Sequence, residues 1–303
     1  MRLRYLLISF TLLHTASYAD TGESPDRTET EEVSIGNLRC LPMRPPSKQK
    51  VPVAAKKPDL QPEAKPTKAT ASTVSPSSEV EFGGSFAYLR MDAGGDALQG
   101  FLGGAQASYE YKVANSVYGG VAFAFRDGSV SKQEIKRSIL DINLQERLGY
   151  SFGNTEETWL VSLFSGLGYR HMGETASASD GSSVLNYNDF YIPVGFLIQG
   201  TVHPLVTLGL NAQWQPQVYP TVTTTPLNGA RWITICELGS FAAELPIVVS
   251  VYKKYHCTVI VKPFVEYWQD GRTTAKTDTG LSLGIPANHY WFVGCDINVG
   301  FAF

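Results

Sequence analysis

The chain has 303 residues, a formal net charge of −3, 12% aromatic residues and a mean hydropathy of −0.09. This charge balance gives no support for nucleic-acid binding, and no internal apolar run reaches the roughly 20 residues that a membrane-spanning helix needs. The composition fits a β-barrel, in which alternate residues face lipid and lumen, and it also fits a secreted β-sandwich. The order of residues along the chain must decide between them.

The N-terminus has the pattern of a secretory signal peptide. Two arginines precede a short apolar run from Leu6 to Leu13, and the small residues Ser17 and Ala19 follow it. A basic head, an apolar run and small residues at the cleavage site are typical of a signal peptide, and the run is too short to span a membrane. We predict that residues 1–19 are removed by cleavage near Ala19.

Residues 20–79 are first acidic and then rich in proline and lysine. Such a composition buries too little apolar area to offset the entropy of ordering, and its prolines favour an extended chain. The sequence therefore predicts a disordered periplasmic linker. One interpretation is a plain spacer. The other is a basic arm, residues 39–68, that contacts peptidoglycan or a periplasmic protein.

Alternation of apolar and polar residues begins after Glu79 and continues almost to the end of the chain. One of the clearest segments lies between Leu140 and Phe152, where Glu146 is the one residue that interrupts the apolar face. Successive side chains of a strand point to opposite faces. We predict an all-β fold for residues 80–303, a transmembrane antiparallel up-and-down barrel of about ten strands, each near the ~10 residues needed to cross a bilayer, with eight or twelve strands as alternatives.

The predicted connections alternate between short turns and long loops, which is typical of outer-membrane barrels and returns both chain ends to the periplasmic side. The short turns are 114–116, 153–158, 203–204 and 253–256, and the long loops are 92–100, 126–137, 172–188, 216–237 and 269–289. Within the fourth long loop, Asn228-Gly229 predicts a hairpin turn, and a change of apolar phase predicts a β-bulge near Gly239.

The last strand alternates up to the final residue and ends on an aromatic side chain. Its apolar face includes Trp291, Val299, Phe301 and Phe303. This strand resembles the C-terminal strand of bacterial outer-membrane barrels, which the barrel-assembly machinery recognises. The resemblance implies a barrel in contact with outer-membrane lipid, inserted by that machinery and located in the bacterial outer membrane.

The inward phase of the predicted strands carries charges of both signs. These candidate lumen residues are Glu110, Lys112, Asp141, Arg147, Arg170, Glu244, Lys262, Glu266 and Asp296. In a barrel this narrow, side chains fill most of the interior. One interpretation is a plug of ion pairs and waters, and the other is a narrow polar path for small solutes.

Four loop residues raise the possibility of an enzyme at the extracellular rim. Asp92 and Asp96 begin the first long loop, and Asp270 and His289 flank the fifth. Barrel closure brings the last strand beside the first, so these residues are candidates for one site. With about ten strands, the chain resembles the omptin proteases, which use an Asp pair facing a His–Asp pair, although none of the omptin sequence motifs is present.

No cofactor or metal site is predicted, because the five histidines lack ligand spacing. Cysteine-containing barrels of this general type include the major outer-membrane proteins of chlamydiae and legionellae, which this chain weakly resembles. Cys257 and Cys295 are predicted to face lipid without lying opposite each other, and Cys40 to be free for an intermolecular bridge.

The sequence thus favours a non-enzymatic surface barrel whose extracellular loops serve interaction or envelope structure. A small porin for polar solutes is the alternative, and an omptin-like rim protease is the second alternative.

Overall fold

The computed structural model describes residues 78–93, 95–154, 158–178, 181–225, 231–252, 256–273 and 284–303. The predicted signal peptide, nearly all of the predicted linker, Cys40 and the Asn228-Gly229 turn lie outside these residues. In the described part of the chain, no helix has the length and apolar character needed to cross a membrane.

Antiparallel β-structure dominates the described chain. The strands are β1 (Ser78–Ala93), β2 (Asp96–Tyr111), β3 (Ser116–Lys132), β4 (Ile135–Gly153), β5 (Trp159–Ala178), β6 (Gly181–Tyr191), β7 (Val194–His203), β8 (Val206–Trp214), β9 (Gln217–Thr225), β10 (Arg231–Ile233), β11 (Phe241–Glu244), β12 (Ile247–Tyr252), β13 (Cys257–Asp270) and β14 (Asn288–Ala302).

The sheet closes on itself, because β14 pairs with β1 from Glu79↔Ala302 to Ala93↔Asn288. Successive segments that share the same neighbours form single barrel strands: β6 with β7, β8 with β9, and β10 with β11 and β12. Ten barrel strands result, which confirms the predicted architecture and strand count. The first strand begins at Ser78, two residues before the predicted start.

Prolines explain where the later barrel strands are interrupted. Pro193, Pro216 and Pro246 lie in the gaps between β6 and β7, β8 and β9, and β11 and β12. Proline has no backbone N–H for the ladder, so the pairing breaks there. The carbonyls remain in use: Ile192 N donates to Pro216 O at 3.0 Å, and Gly209 N donates to Pro246 O at 2.7 Å.

The faces of the barrel are arranged as in a membrane protein. In β14, Val293 and Ile297 are each 53% exposed on the outside, whereas Asp296 and Asn298 are 2% exposed inside. An apolar outside around a polar inside suits lipid and not water.

Outward aromatic residues form two girdles around this apolar belt. The upper girdle is Tyr88, Phe101, Tyr169, Phe190, Trp214, Phe241, Tyr267 and Trp291, and the lower girdle is Tyr109, Tyr150, Phe152, Trp159, Phe301 and Phe303.

The prediction of long first, second and third loops is wrong. Above the upper girdle the ladders continue, so β3 and β4 are joined only by Gln133 and Glu134, and strands β1 to β5 have 16 to 20 residues in place of about ten. The physical reason is that the apolar side chains move from the outer face of the strands to the inner face above the girdle. Inward side chains such as Val130 and Ile139 become apolar, whereas outward side chains such as Asp127 become polar. The strand pattern therefore continues without its lipid-facing signal.

The later connections are closer to expectation. Strands β9 and β10 pair from Thr221↔Ile233 to Thr223↔Arg231, which confirms the hairpin predicted in the fourth loop. In place of a single bulge near Gly239, residues 235–240 form an irregular segment before β11. Cys257 pairs with Phe301 and Cys295 with Pro263, so the two cysteines are not opposite each other, as predicted.

Candidate functional site in the barrel lumen

A vestibule of about 550 Å³ lies at the end of the barrel where the short turns and both ends of the described chain meet. Its wall includes Glu79, Lys112, His256, Thr258 and Phe303. A smaller cavity of about 50 Å³ lies deeper in the lumen, beside Glu81, Gln106 and Asn211. A cavity of this size and polarity has room for a few water molecules. The lower lumen therefore has polar cavities with room for water.

Ion pairs balance the charges of this lower region. Lys112 Nζ lies 2.9 Å from Glu79 Oε2 and 3.1 Å from Glu110 Oε2. Tyr118 donates its hydroxyl proton to the other Glu110 oxygen at 3.0 Å. Lys262 forms an ion pair with Glu81. Since nearly every charge has a partner of opposite sign, the region has little net field to select an ion.

A network of two arginines and two carboxylates crosses the lumen above this cavity. Arg170 donates from Nε and Nη2 to Asp141 at 2.8 and 3.0 Å, and it also pairs with Glu266. Arg126 Nη1 lies 3.3 Å from Asp141 and 3.4 Å from Glu266. Bidentate pairing of this kind fixes the geometry of the guanidinium groups. The four side chains join strands from opposite sides of the barrel.

Aromatic rings enclose the same arginines. The Arg170 guanidinium carbon lies 4.7 Å from the ring centroid of Trp268 and 4.8 Å from that of Phe292. The Arg126 guanidinium carbon lies 4.6 Å from the centroid of Phe264. Cations over aromatic faces are attracted by the ring quadrupole. Each guanidinium is thus held by carboxylates and rings, which leaves little space for a passing solute.

Above the network, and above the upper girdle, lies a cluster of buried acids and phenols. Tyr290 donates its hydroxyl proton to Glu174, and Arg137 Nη1 lies 3.0 Å from the other oxygen of this carboxylate. Asn288 Nδ2 donates to Tyr187 Oη at 3.0 Å. Burial is the largest influence on Glu174 and raises its pKa to about 7, against the opposing effects of Tyr290 and Arg137.

An apolar seal fills the upper lumen around this cluster. Its inward side chains come from seven of the ten barrel strands and are almost fully buried: Leu89, Met91, Leu98, Leu102, Val130, Ile139, Met172, Val222 and Trp232. Interiors of this kind are packed as densely as organic crystals, with few voids that admit water. The described upper lumen is therefore a core and not a channel.

All nine lumen candidates from the sequence lie on inward faces of the barrel. Asp141, Arg170 and Glu266 meet in the network. Glu110, Arg147, Glu244 and Lys262 line the polar cavity, and Lys112 lies on the wall of the vestibule. Asp296 is buried between them on β14. Sequence reasoning missed Arg126 because it was placed at the start of a loop. Its signal was available, because Arg126 continues the inward phase set by outward Phe123 and Phe125.

The four rim candidates are divided between two faces. Asp92 and His289 are register partners on the outer side of the β1–β14 ladder. His289 Nδ1 lies 3.1 Å from Tyr267 Oη and 3.2 Å from Gln269 Nε2. Asp270 points inward, 1% exposed, and accepts from Trp268 Nε1 at 2.9 Å. Asp96 lies at the tip of the first hairpin, where only its backbone is described. The described part does not assemble the expected four-residue site.

The described residues contain no group of three or more histidines, cysteines or acids that could hold a metal ion.

No protein-family model and no curated protein matches the sequence. Among solved structures, the outer membrane protease OmpT from Escherichia coli is similar over 75% of this chain and 96% of that chain, with 11% identity and a TM-score of 0.46. The translocator domain of autotransporter NalP from Neisseria meningitidis is similar over 75% and 88%, with 14% identity and a TM-score of 0.42. The Pseudomonas putida toluene transporter TodX is similar over 78% and 93%, with 8% identity and a TM-score of 0.33. These values identify neither a family nor an activity, and the barrel assignment rests on this chain's own strand register and burial.

Proposed function

We propose that this protein is a plugged, non-enzymatic barrel of the bacterial outer membrane, which presents its extended hairpins and loops for interaction or envelope structure. The observation that carries the proposal is the filled lumen. The Arg126–Arg170 network and the apolar seal above it occupy the cross-section that a solute would need. Outside, the ladders rise above the upper girdle as far as Lys132 and Ile135, so polar strand surface projects beyond the lipid.

Planar-bilayer recording of the refolded full chain tests the plug. We expect no stepwise conductance, whereas a known porin inserted under the same conditions gives steps. Heat-modifiable gel migration, run on the same sample, shows that the silent protein is folded. Reproducible conductance steps from folded protein would contradict the proposal.

A small porin is the second candidate, and the lower lumen is the observation that favours it. The vestibule of about 550 Å³ and the separate polar cavity above it would provide space for the periplasmic half of a solute path. A porin then requires both the Arg126–Arg170 network and the apolar seal above it to open. Conductance that appears only in Arg170→Ala, with a silent wild type, would show that the network is the barrier.

Export and the absence of catalysis are also part of the proposal. Cleavage near Ala19 and assembly through the strand that ends at Phe303 predict that the mature chain fractionates with the outer membrane. Identical gel mobility with and without boiling would argue against a barrel. If a hydrolytic activity is detected, Asp92→Ala and His289→Ala should leave it unchanged, and loss of activity in both would favour the protease alternative.

A further inference from the structure

The apolar belt between the two girdles contains one charged side chain among its described residues, Glu146 on β4. The one other polar side chain there, apart from cysteine, is Ser165 on β5. All other outward residues of the belt are glycine, alanine, proline, cysteine, aliphatic or aromatic. Both polar side chains are exposed. The sequence had already set Glu146 apart, because it interrupts the apolar face of its strand.

Glu146 is in the middle of the lipid-facing run of β4. Tyr150 of the lower girdle lies four residues away, about 13 Å along the strand at roughly 3.3 Å per residue, and Tyr169 of the upper girdle pairs with Leu144, the next outward residue of β4. Leu148 and Leu167, which border it, are 67% and 66% exposed. A glutamate side chain is too short to bring its carboxyl group to the headgroup region from this position.

A carboxyl group in this position lacks the partners that water would supply. Lipid tails offer no hydrogen bonds, so an ionisable residue on a lipid-facing surface is costly unless a polar group meets it. Glu146 pairs with Leu167, and Ser165 pairs with Leu148, so the two polar residues are diagonal neighbours on adjacent strands. Within the described chain neither side chain has a hydrogen-bond or ion-pair partner.

We propose that the outer face of β3, β4 and β5 around Glu146 and Ser165 is an intramembrane interface with a second copy of this chain. A two-fold axis along the membrane normal, passing between β4 and β5, places the Ser165 hydroxyl of each copy against the Glu146 carboxyl group of the other. The hydroxyl donates and the carboxyl oxygen accepts, twice. Such self-complementarity is what a two-fold dimer requires, and polar pairs of this kind hold membrane-embedded segments together.

The shape of the patch is compatible with the same partner. An axis between β4 and β5 makes the outer faces of these two strands the centre of the contact. Leu148 and Leu167 are the exposed apolar side chains that flank the polar pair there, and each copy packs them against the β4–β5 face of the other. Lipid chains would cover the two leucines equally well but would leave Glu146 without a partner.

The test is fluorescence energy transfer between labelled full-length chains in lipid vesicles, followed as the protein is diluted with lipid. We expect wild type to associate and Glu146→Leu to dissociate at protein densities at least about thirtyfold higher, since the substitution removes both symmetry-related hydrogen bonds and each contributes on the order of 1–2 kcal/mol. Glu146→Gln keeps an acceptor for Ser165 and should associate nearly as wild type. Ser165→Ala should weaken association like Glu146→Leu. Val293→Ala, on the opposite side of the barrel, is the matched control and should have no effect.

Heat-modifiable migration confirms that each variant is folded before its association is compared. A wild type that stays monomeric at every density overturns the proposal, and so does a Glu146→Leu variant that associates as tightly as wild type. If wild type is monomeric but captures a different membrane protein that Glu146→Leu does not, the patch serves another partner and the dimer is wrong.

Discussion

The lower and upper halves of the barrel differ in which face of the same strands is apolar. Below the upper girdle the barrel is surrounded by lipid, so its outside is apolar and its inside holds Lys112, Glu110 and polar cavities with room for water. Above the girdle the outside meets water, and the inside becomes a dry core that includes Leu98 and Trp232. The hydrophobic effect acts on whichever face leaves water. The change of inner face therefore marks where the strands leave the membrane.

The largest expected effect concerns the network that separates the two halves. Arg170→Ala removes the bidentate partner of Asp141 and one partner of Glu266 from a site with no exposure. Breaking a buried ion pair by removing one member costs about 3–5 kcal/mol, because the remaining charge stays buried. We expect a loss of this size in the free energy of unfolding, measured by urea titration of protein refolded in micelles.

The control for Arg170 is Arg90, whose pair with Asp92 is exposed at 3.5 Å. Exposed pairs contribute about 0–1 kcal/mol. Arg90→Ala should therefore leave the urea midpoint almost unchanged. Equal losses in both variants would show that the network is solvated and that the two halves of the lumen are not separated there.

Truncating a buried side chain in the upper half should lower the stability of the protein as it does in the core of a soluble protein. Leu98 is 1% exposed and belongs to the apolar seal. Leu98→Ala should cost roughly 2–5 kcal/mol, since the removed contacts and the remaining cavity add. Leu208, which faces lipid on β8, is the matched control, because lipid fills the space that Leu208→Ala leaves. A Leu98→Ala loss no larger than that of Leu208→Ala would contradict a packed seal.

These two expectations show how far the sequence alone could reach. Alternation predicted ten strands and the inward phase of Asp141, Arg170 and Glu266, because lipid outside and charge inside give a strong contrast between neighbours. The seal could not be predicted in the same way. Above the girdle the contrast reverses, and residues such as Val130 and Met172 resemble ordinary loop apolar residues until the ladder register is known. Arg126 was missed for the same reason, because it lies close to the level at which the apolar and polar faces of the strands are exchanged.

Glu174 makes the upper half sensitive to pH. Burial raises its pKa to about 7 from an ordinary value of 4.5, so the folded state binds a proton that the unfolded state releases. Its contribution to stability is therefore complete below about pH 4.5 and is lost as pH rises through about 7, with an upper bound on the order of 3 kcal/mol. Urea titrations at pH 5 and pH 8 measure this difference.

Glu174→Gln is the matched variant, since it keeps an acceptor for Tyr290 without a titrating group. The pH dependence of its unfolding should be flatter than that of wild type. If the free energy of unfolding of Glu174→Gln depends on pH as strongly as that of wild type, other acids cause the pH dependence. Glu174 is then an ordinary ion-pair partner of Arg137.

The smallest expected effect belongs to the lower half and concerns two hydroxyls. Ser151 Oγ and Ser162 Oγ lie 2.6 Å apart, both fully buried, on the paired strands β4 and β5. Ser151→Ala leaves the Ser162 hydroxyl without this partner, which costs roughly 1–3 kcal/mol in a dry site and much less where water can replace it. If water from the neighbouring cavities reaches Ser162 in the variant, the loss is at or below about 1 kcal/mol. The double variant Ser151→Ala/Ser162→Ala distinguishes a dry site from a hydrated one. In a dry site, removing both hydroxyls leaves no unpaired polar group and restores the free energy of unfolding. In a hydrated site, the double variant differs little from the single variant. A single-variant loss near 3 kcal/mol that the double variant restores would mean that the dry core extends down to this level, and the boundary between the two halves would then lie nearer the periplasm.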